Sequence, residues 1–223
     1  MKKGSSSPHP RLPPQGGKGT TLGIFLREPV EGKVKKRLAR DVGNKRACKI
    51  YIDCIRKTLN LAHASRLPLY IFYTPPGASR RLQKHFQITC PIFPQKGRTL
   101  GDRMKNAFQT MLATSPVAIL IGSDSPTLPV KFLKQAGKAL ASKDFVLGPA
   151  EDGGYYLIGL TRAGFRKGRV ALFSRIPWGG PDVFRKTTER AKRLRLHAAF
   201  LPLWHDIDTI EDLRRSEILM RPP

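Results

Sequence analysis

The sequence predicts one α/β domain, a mainly parallel Rossmann-like sheet flanked by helices, and three observations carry that reading. Apolar runs of about six residues alternate with amphipathic stretches of about three or four helical turns, the rhythm of β-α-β units with right-handed crossovers. The cleanest apolar runs, at residues 69–73 and 117–121, are strand-sized and far short of a membrane span. With 223 residues, 40% of them apolar, the chain is long enough to bury a sizeable core.

The first element is TTLGIFLRE (20–28), a buried strand leading into a charged loop punctuated by Pro29 and Gly32. After Gly43, apolar Cys48, Tyr51, Ile55, Leu59 and Ala62 follow helical spacing, with Lys45, Arg46, Lys49, Arg56 and Lys57 on the other faces. Then come LPLYIFYT (67–74) as a strand, a short helix at 79–85, ITCPIFPQ (88–95) as a strand and LGDRMKNAFQTMLA (100–113) as a helix. VAILIGSD (117–124) is a strand, LPVKFLKQAGKALAS (128–142) a helix and DFVLGPA (144–150) a strand. GGYYLIGL (153–160) is a further strand, with one tyrosine in the core and one at the surface. Residues 164–174 read as irregular, 181–193 as a helix with Pro181 in its first turn, and LRLHAAFLPLW (194–204) as a strand. The last helix starts at Thr209, whose hydroxyl can cap it while Asp212 reaches back in a capping box. Residues 1–19, rich in Ser, Pro and Gly, read as a basic disordered tail, and 20–223 as the single domain.

Forty-one Lys and Arg against 16 Asp and Glu give a net charge of +25, so the expected partners are anionic. The N-terminus opens on two lysines but has no apolar h-region, which points to a cytoplasmic protein. Cys48, Cys54 and Cys90 form no C-x-x-C pair, so neither a disulfide framework nor a thiolate zinc site is expected. Nucleic-acid binding without catalysis would rest on charge alone. No helix-turn-helix, aromatic ribonucleoprotein motif or zinc finger supports it, and the expectation is weak, non-specific binding at low salt only.

In open parallel sheets ligands sit beyond the carboxyl ends of strands, so the loops that follow strands are the candidates for chemistry. The first such loop gathers Lys33, Lys35, Lys36, Arg37 and Arg40 around Gly32, a composition suited to a di- or triphosphate or, alternatively, to a solvated basic face. Arg37 lies where the next helix should start. After the third strand, Gly97 and Gly101 bracket a helix N-terminus, where they either let backbone approach phosphate or simply make the turn. The fourth strand runs through Gly122 into Ser123 and Asp124. A carboxylate there can hold a hard divalent cation; otherwise it caps the next helix or closes an Asx turn. In GPAEDGGYYLIGL (148–160), Glu151 or Asp152 can act as a general base, or Asp152-Gly153 can be a type I′ hairpin turn with no catalytic duty. Asp206 and Asp208 precede the last helix and can share a cation. Five of the 16 acids thus fall in three short loops, while none lies between Asp53 and Asp102, and that clustering favours a site.

Five segments in this order resemble a known family: Glu28-Pro29 with Gly32, Val34, Lys35, Arg37 and Leu38; Gln95 and Gly97 with Leu100, Gly101, Arg103 and Met104; residues 122–128; GPAEDGGYYL (148–157); and Asp206-Ile207-Asp208-Thr209. The resemblance, over residues 22–213, is to the bacterial glycosyltransferase-A-like family labelled arsenosugar-biosynthesis glycosyltransferase. It implies a glycosyltransferase-A (nucleotide-diphospho-sugar transferase) fold, a nucleotide-sugar donor, a small-molecule acceptor and a divalent cation, Mg²⁺ or Mn²⁺. On that footing Asp124, Asp208 and Asp206 would hold the metal. Lys35, Arg37, Gly97, Gly101 and Ser123 would bind the diphosphate, Arg103 would neutralise the leaving group, and Asp152 or Glu151 would activate the acceptor. Lys36 stands where the family usually has Thr, and Gly179-Gly180 replaces the usual Ser-Thr pair. A second resemblance, through residues 29–38, Asp124 and the D-I-D-T ending, is to nucleotidyltransferases such as 2-phospholactate guanylyltransferase and molybdenum-cofactor cytidylyltransferase. Their Gly-Gly-x-Ser-x-Arg loop is absent here.

Overall fold

Alternating side chains of the central strands feed two different cores, and this places helices on both faces of one sheet. The computed structural model describes residues 19–220, so the expected N-terminal tail lies, apart from Gly19, outside the described residues. In chain order the elements begin with β1 (Thr20–Arg27), α1 (Leu38–Val42), α2 (Asn44–Ser65), β2 (Leu69–Thr74), α3 (Ser79–Phe86), β3 (Ile92–Pro94), α4 (Leu100–Thr114) and β4 (Val117–Ile121). They continue with α5 (Val130–Ala139), β5 (Phe145–Pro149), β6 (Tyr155–Thr161), α6 (Arg162–Gly168), α7 (Val183–Arg193), β7 (Ala198–Phe200) and α8 (Ile210–Met220).

The seven strands form one sheet in the order β3-β2-β1-β4-β6-β5-β7. Only β6 runs antiparallel to its neighbours, β4 and β5. Leu22, Ile24 and Leu26 of β1 and Ile119 and Ile121 of β4 pack on one face with α1, α2, α5 and α8 through Leu38, Ile55, Phe132 and Leu213. Tyr70 and Phe72 of β2 and Ala118 and Leu120 of β4 pack on the other, against Phe108 and Met111 of α4 and Phe165 of α6. Strands covered on both sides become continuous apolar runs, which is why residues 117–121 read as they do. For the same reason both tyrosines of β6 are packed: Tyr156 in the first core and Tyr155 against the second, so the expected surface position does not exist.

The local expectations differ from the structure at several edges. Of residues 164–174, read as irregular, 164–168 belong to α6 while 169–174 are turns; the Thr161 hydroxyl caps the helix by accepting from the Gly164 amide at 3.0 Å, which offsets the poor helix propensity of its two glycines. The strand expected over residues 194–204 is paired only at Ala198–Phe200, with a single bridge from Trp204 to Ala150, since Pro202 cannot donate to a ladder. The third strand is likewise confined to Ile92–Pro94, after Pro91, and α7 begins at Val183 rather than Pro181. The Thr209–Asp212 capping box forms as expected: the Asp212 carboxylate accepts from the Thr209 amide at 2.8 Å and the Asp212 amide donates back to the Thr209 hydroxyl at 3.3 Å. Cys48 and Cys54 are buried and Cys90 half-buried. Among the described residues no helix is long and apolar enough to cross a membrane.

Candidate active site

The chain lays β2 and β3 to one side of β1 and then returns to place β4 on the other, so β1 and β4 flank the point where strand order reverses. A crevice opens at the carboxyl ends of such strands. Here it is a cleft of about 530 Å³, walled by Arg27 at the end of β1, Tyr51 of α2, Asp124 beyond β4, Asp208 before α8 and the loop from Lys33 to Arg37.

That loop is held by its apolar residues. Val34 and Leu38 are buried in the core, and the carbonyl of Lys35, the residue after Val34, accepts from the Ala39 amide at 2.8 Å, which starts α1. Lys35 adopts φ +45, a left-handed conformation uncommon outside glycine and associated with functional sites. Its ammonium lies 2.5 Å from Oδ1 of Asp124 and 2.9 Å from Oδ1 of Asp208, with the side chain only 4% exposed while the carboxylates are 44% and 40% exposed. The Tyr51 ring stands beneath the ammonium, 5.8 Å from it. Burial by itself favours a neutral amine. The two carboxylates outweigh it and hold the Lys35 pKa above the ordinary lysine value, so the group is charged. Arg37, at the N-terminal boundary of α1 as expected, lies 4.0 Å from the second oxygen of Asp208.

Each acidic loop is tied in place by backbone. The Asp124 carbonyl accepts from the Ile207 amide at 2.9 Å, which joins the two loops, and the Asp208 amide donates to the α8 capping carboxylate, Asp212, at 3.0 Å. Burial, then repulsion from Asp208, Asp152 and Asp124, pushes Asp206 up to about 7. That coupling puts the β5–β6 turn within electrostatic range of Asp206, although neither Asp152 nor Asp206 is among the residues that line the cleft.

The other anticipated residues are distributed differently. Ser123 is buried, its hydroxyl 3.0 Å from that of Tyr51, so it supports the floor of the site. Gly97, Gly101 and Arg103 are not among the residues that line the cleft. Gly101 faces protein: a methyl group there would stand 2.7 Å from the Trp178 ring and closer still to the Phe173 carbonyl, leaving no space for a phosphate on that side. Arg103 donates through Nε to the Gly97 carbonyl at 3.2 Å. Gly97 and Arg103 thus hold one another at the start of α4. Glu151 pairs with Arg215 at 2.7 Å, and exposed Asp152 accepts from the Gly154 amide at 2.8 Å. The turn carrying them is not type I′, which needs two positive φ angles; only Gly153, at +85, has one.

Arg27 and Tyr51 are the cleft residues that sequence reasoning does not single out. Arg27 had a usable signal, a charge closing an apolar strand. Tyr51 had none, since helical spacing assigns it to the core, where most of it indeed lies.

The donor set around Lys35 bears on metal binding. Carboxylate oxygens such as those of Asp124 and Asp208 suit Mg²⁺ or Mn²⁺ in type. Among the described residues, however, no group of three or more His, Cys, Asp or Glu side chains is arranged to hold a metal ion. The space between the two carboxylates is taken by the Lys35 ammonium.

Residues 58–180, more than half of the chain, match the family described as "uncharacterized protein conserved in bacteria (DUF2064)". The chain belongs to this family. Among curated proteins none matches it by sequence. A crystal structure from Desulfovibrio desulfuricans G20, provisionally named a nucleotide-diphospho-sugar transferase, is 33% identical with a TM-score of 0.85, covering 92% of this chain and 87% of its own. A cytidylyltransferase from Leptospira borgpetersenii serovar Hardjo-bovis (strain JB197) gives 14% identity and a TM-score of 0.61, over 93% of this chain and 89% of its own. A Mycobacterium tuberculosis H37Rv protein in complex with manganese gives 16% and 0.57, over 90% and 98%. The two distant structures establish fold alone. The fold of this DUF2064 member is that of nucleotide-diphospho-sugar transferases and cytidylyltransferases, as the resemblance implied. The arsenosugar label is carried by none of these relatives.

Proposed function

We propose that this DUF2064 protein transfers a sugar from a nucleoside-diphosphate donor to a small-molecule acceptor, with a divalent cation as cofactor. The supporting observation is the cleft at the β1/β4 strand ends, where Arg27, Lys33, Lys35, Lys36 and Arg37 face a pair of carboxylates. A diphosphate gains negative charge as it departs, and cations positioned beforehand favour that transition state over the ground state. Lys36 adds one more such charge. Asp124 and Asp208 would hold Mg²⁺ or Mn²⁺, with Asp206 beside them; a divalent cation there supplies charge neutralisation to the phosphates. Asp152 is the base for the acceptor hydroxyl, since Glu151 is engaged by Arg215 whereas Asp152 pairs with no cation among the described residues and lies close enough to Asp206 to raise its pKa.

The number of cations supports a second reading, nucleotidyl transfer with pyrophosphate release, because five of them around one cleft suit a triphosphate at least as well as a diphosphate. A thermal-shift panel of nucleotide sugars and nucleoside triphosphates, with and without Mn²⁺, separates the two; a ligand at about 100 times its dissociation constant stabilises by roughly 2.7 kcal/mol. Shifts with nucleotide sugars are expected. A response to triphosphates alone, with pyrophosphate formed, would replace sugar transfer by nucleotidyl transfer, and silence across the panel would defeat both.

A further inference from the structure

We infer that Lys35 is an internal counter-cation that competes with the divalent metal for Asp124 and Asp208, so that the carboxylate pair becomes available to metal when phosphate draws the ammonium away. This rests on the reading of the cleft as a nucleotide-diphosphate site and adds to it an order of assembly. One ammonium engages an oxygen of both carboxylates, at 2.5 and 2.9 Å, and so occupies the ground between them. Its loop cannot simply swing out, because buried Val34 and Leu38 pin the backbone on either side. A desolvated ammonium that abandoned its partners without replacement would be strongly unfavourable, so Lys35 stays on the acids until another anion is offered. The same loop supplies that anion's other ligands: Lys33, Lys36 and Arg37 line the cleft next to it. The flexible four-carbon stem lets the Lys35 head change partners while the backbone stays still.

In the protein without nucleotide, then, Mn²⁺ meets two carboxylates half neutralised by the single charge of Lys35, which stands between them, and binds weakly. Titrating Mn²⁺ alone and following the EPR signal of the free ion measures this directly. Lys35→Met should tighten Mn²⁺ binding by at least about tenfold, because one positive charge within hydrogen-bonding distance of both ligands is gone. Lys35→Gln should do the same, and adding Asp124→Asn to Lys35→Met should abolish the gain. An affinity unchanged from wild type, or a gain that survives Asp124→Asn, would overturn the inference. A measurement on the wild type needs no variant to fold: the Lys35 ¹⁵Nζ NMR signal should shift on adding inorganic pyrophosphate without metal, and a signal that stays put would also overturn it. The nucleotide panel is read separately. Tighter Mn²⁺ binding in Lys35→Met with no response to any nucleotide would sustain the counter-cation role and remove the transferase reading; the opposite pattern would do the reverse.

Discussion

The hydroxyl of Tyr51 lies 3.0 Å from the hydroxyl of Ser123 and also accepts the Arg27 amide at 3.0 Å, so one phenol on α2 ties together the ends of β1 and β4 at the floor of the cleft. Burial pushes the Tyr51 pKa up to about 12, which keeps it a neutral hydrogen-bonding group at any working pH. Tyr51→Phe removes the partner of the buried Ser123 hydroxyl and of the part-buried Arg27 amide and should destabilise the fold by about 1–3 kcal/mol. Urea denaturation checks this, and an unchanged midpoint would mean that water replaces the phenol without loss.

Asp124→Asn removes one of the two charges on Lys35 and a metal-ligand candidate in the same change. Transfer or donor hydrolysis should fall by about a hundredfold or more, the scale of losing an electrostatic contributor in a preorganised site. Near-wild-type turnover with normal metal dependence would remove Asp124 from the mechanism.

Asp152→Asn should lower kcat by about a hundredfold or more with little change in donor KM, whereas Glu151→Gln, which breaks an exposed pair with Arg215, should stay close to wild type. The product anomer, read by NMR, must be inverted for a base to be needed. Retention would end the role of Asp152.

Gly101→Ala discriminates packing from phosphate recognition. The added methyl collides with the Phe173 carbonyl and Trp178, so a loss of about 1–3 kcal/mol in stability is expected. Full stability with weakened donor binding would return Gly101 to the phosphate site.

Glu28 accepts two hydrogen bonds from Arg81, and the guanidinium holds its carboxyl below the ordinary glutamate value. A carboxylate with a depressed folded pKa contributes stability above the unfolded value, near 4.5, and loses it as pH falls through the folded one. Arg81 is 66% exposed, so solvent screening keeps the contribution small. Glu28→Gln should therefore be less stable than wild type at pH 7 and converge with it in acid, as followed by denaturation across pH. A difference that does not depend on pH would assign the effect to packing instead.

How far the site could be read from the chain varied by residue. Asp124 was visible because an apolar run ends on it through a glycine, and Thr209 with Asp212 because a capping box is a spacing of three. Ser123 and Gly101 were placed at the right loops but given the wrong neighbours, since a sequence does not state which side of a backbone faces Tyr51 or Trp178.

Alternating segments by themselves determined the α/β class, the order of the strands and, apart from the short α1 and α6, of the helices along the chain, and the loops where acids and cations collect. These follow from local spacing and from the need to bury apolar faces. Only the tertiary structure decided that Lys35 is buried between Asp124 and Asp208, the latter 173 positions away, with Tyr51 beneath it. Their meeting depends on where the chain crosses β1 to lay down β4, and on two loops joined through the Ile207 amide. The charge of a lysine is written in the sequence; the carboxylates that hold it are set by the packing of distant segments, which no local spacing encodes.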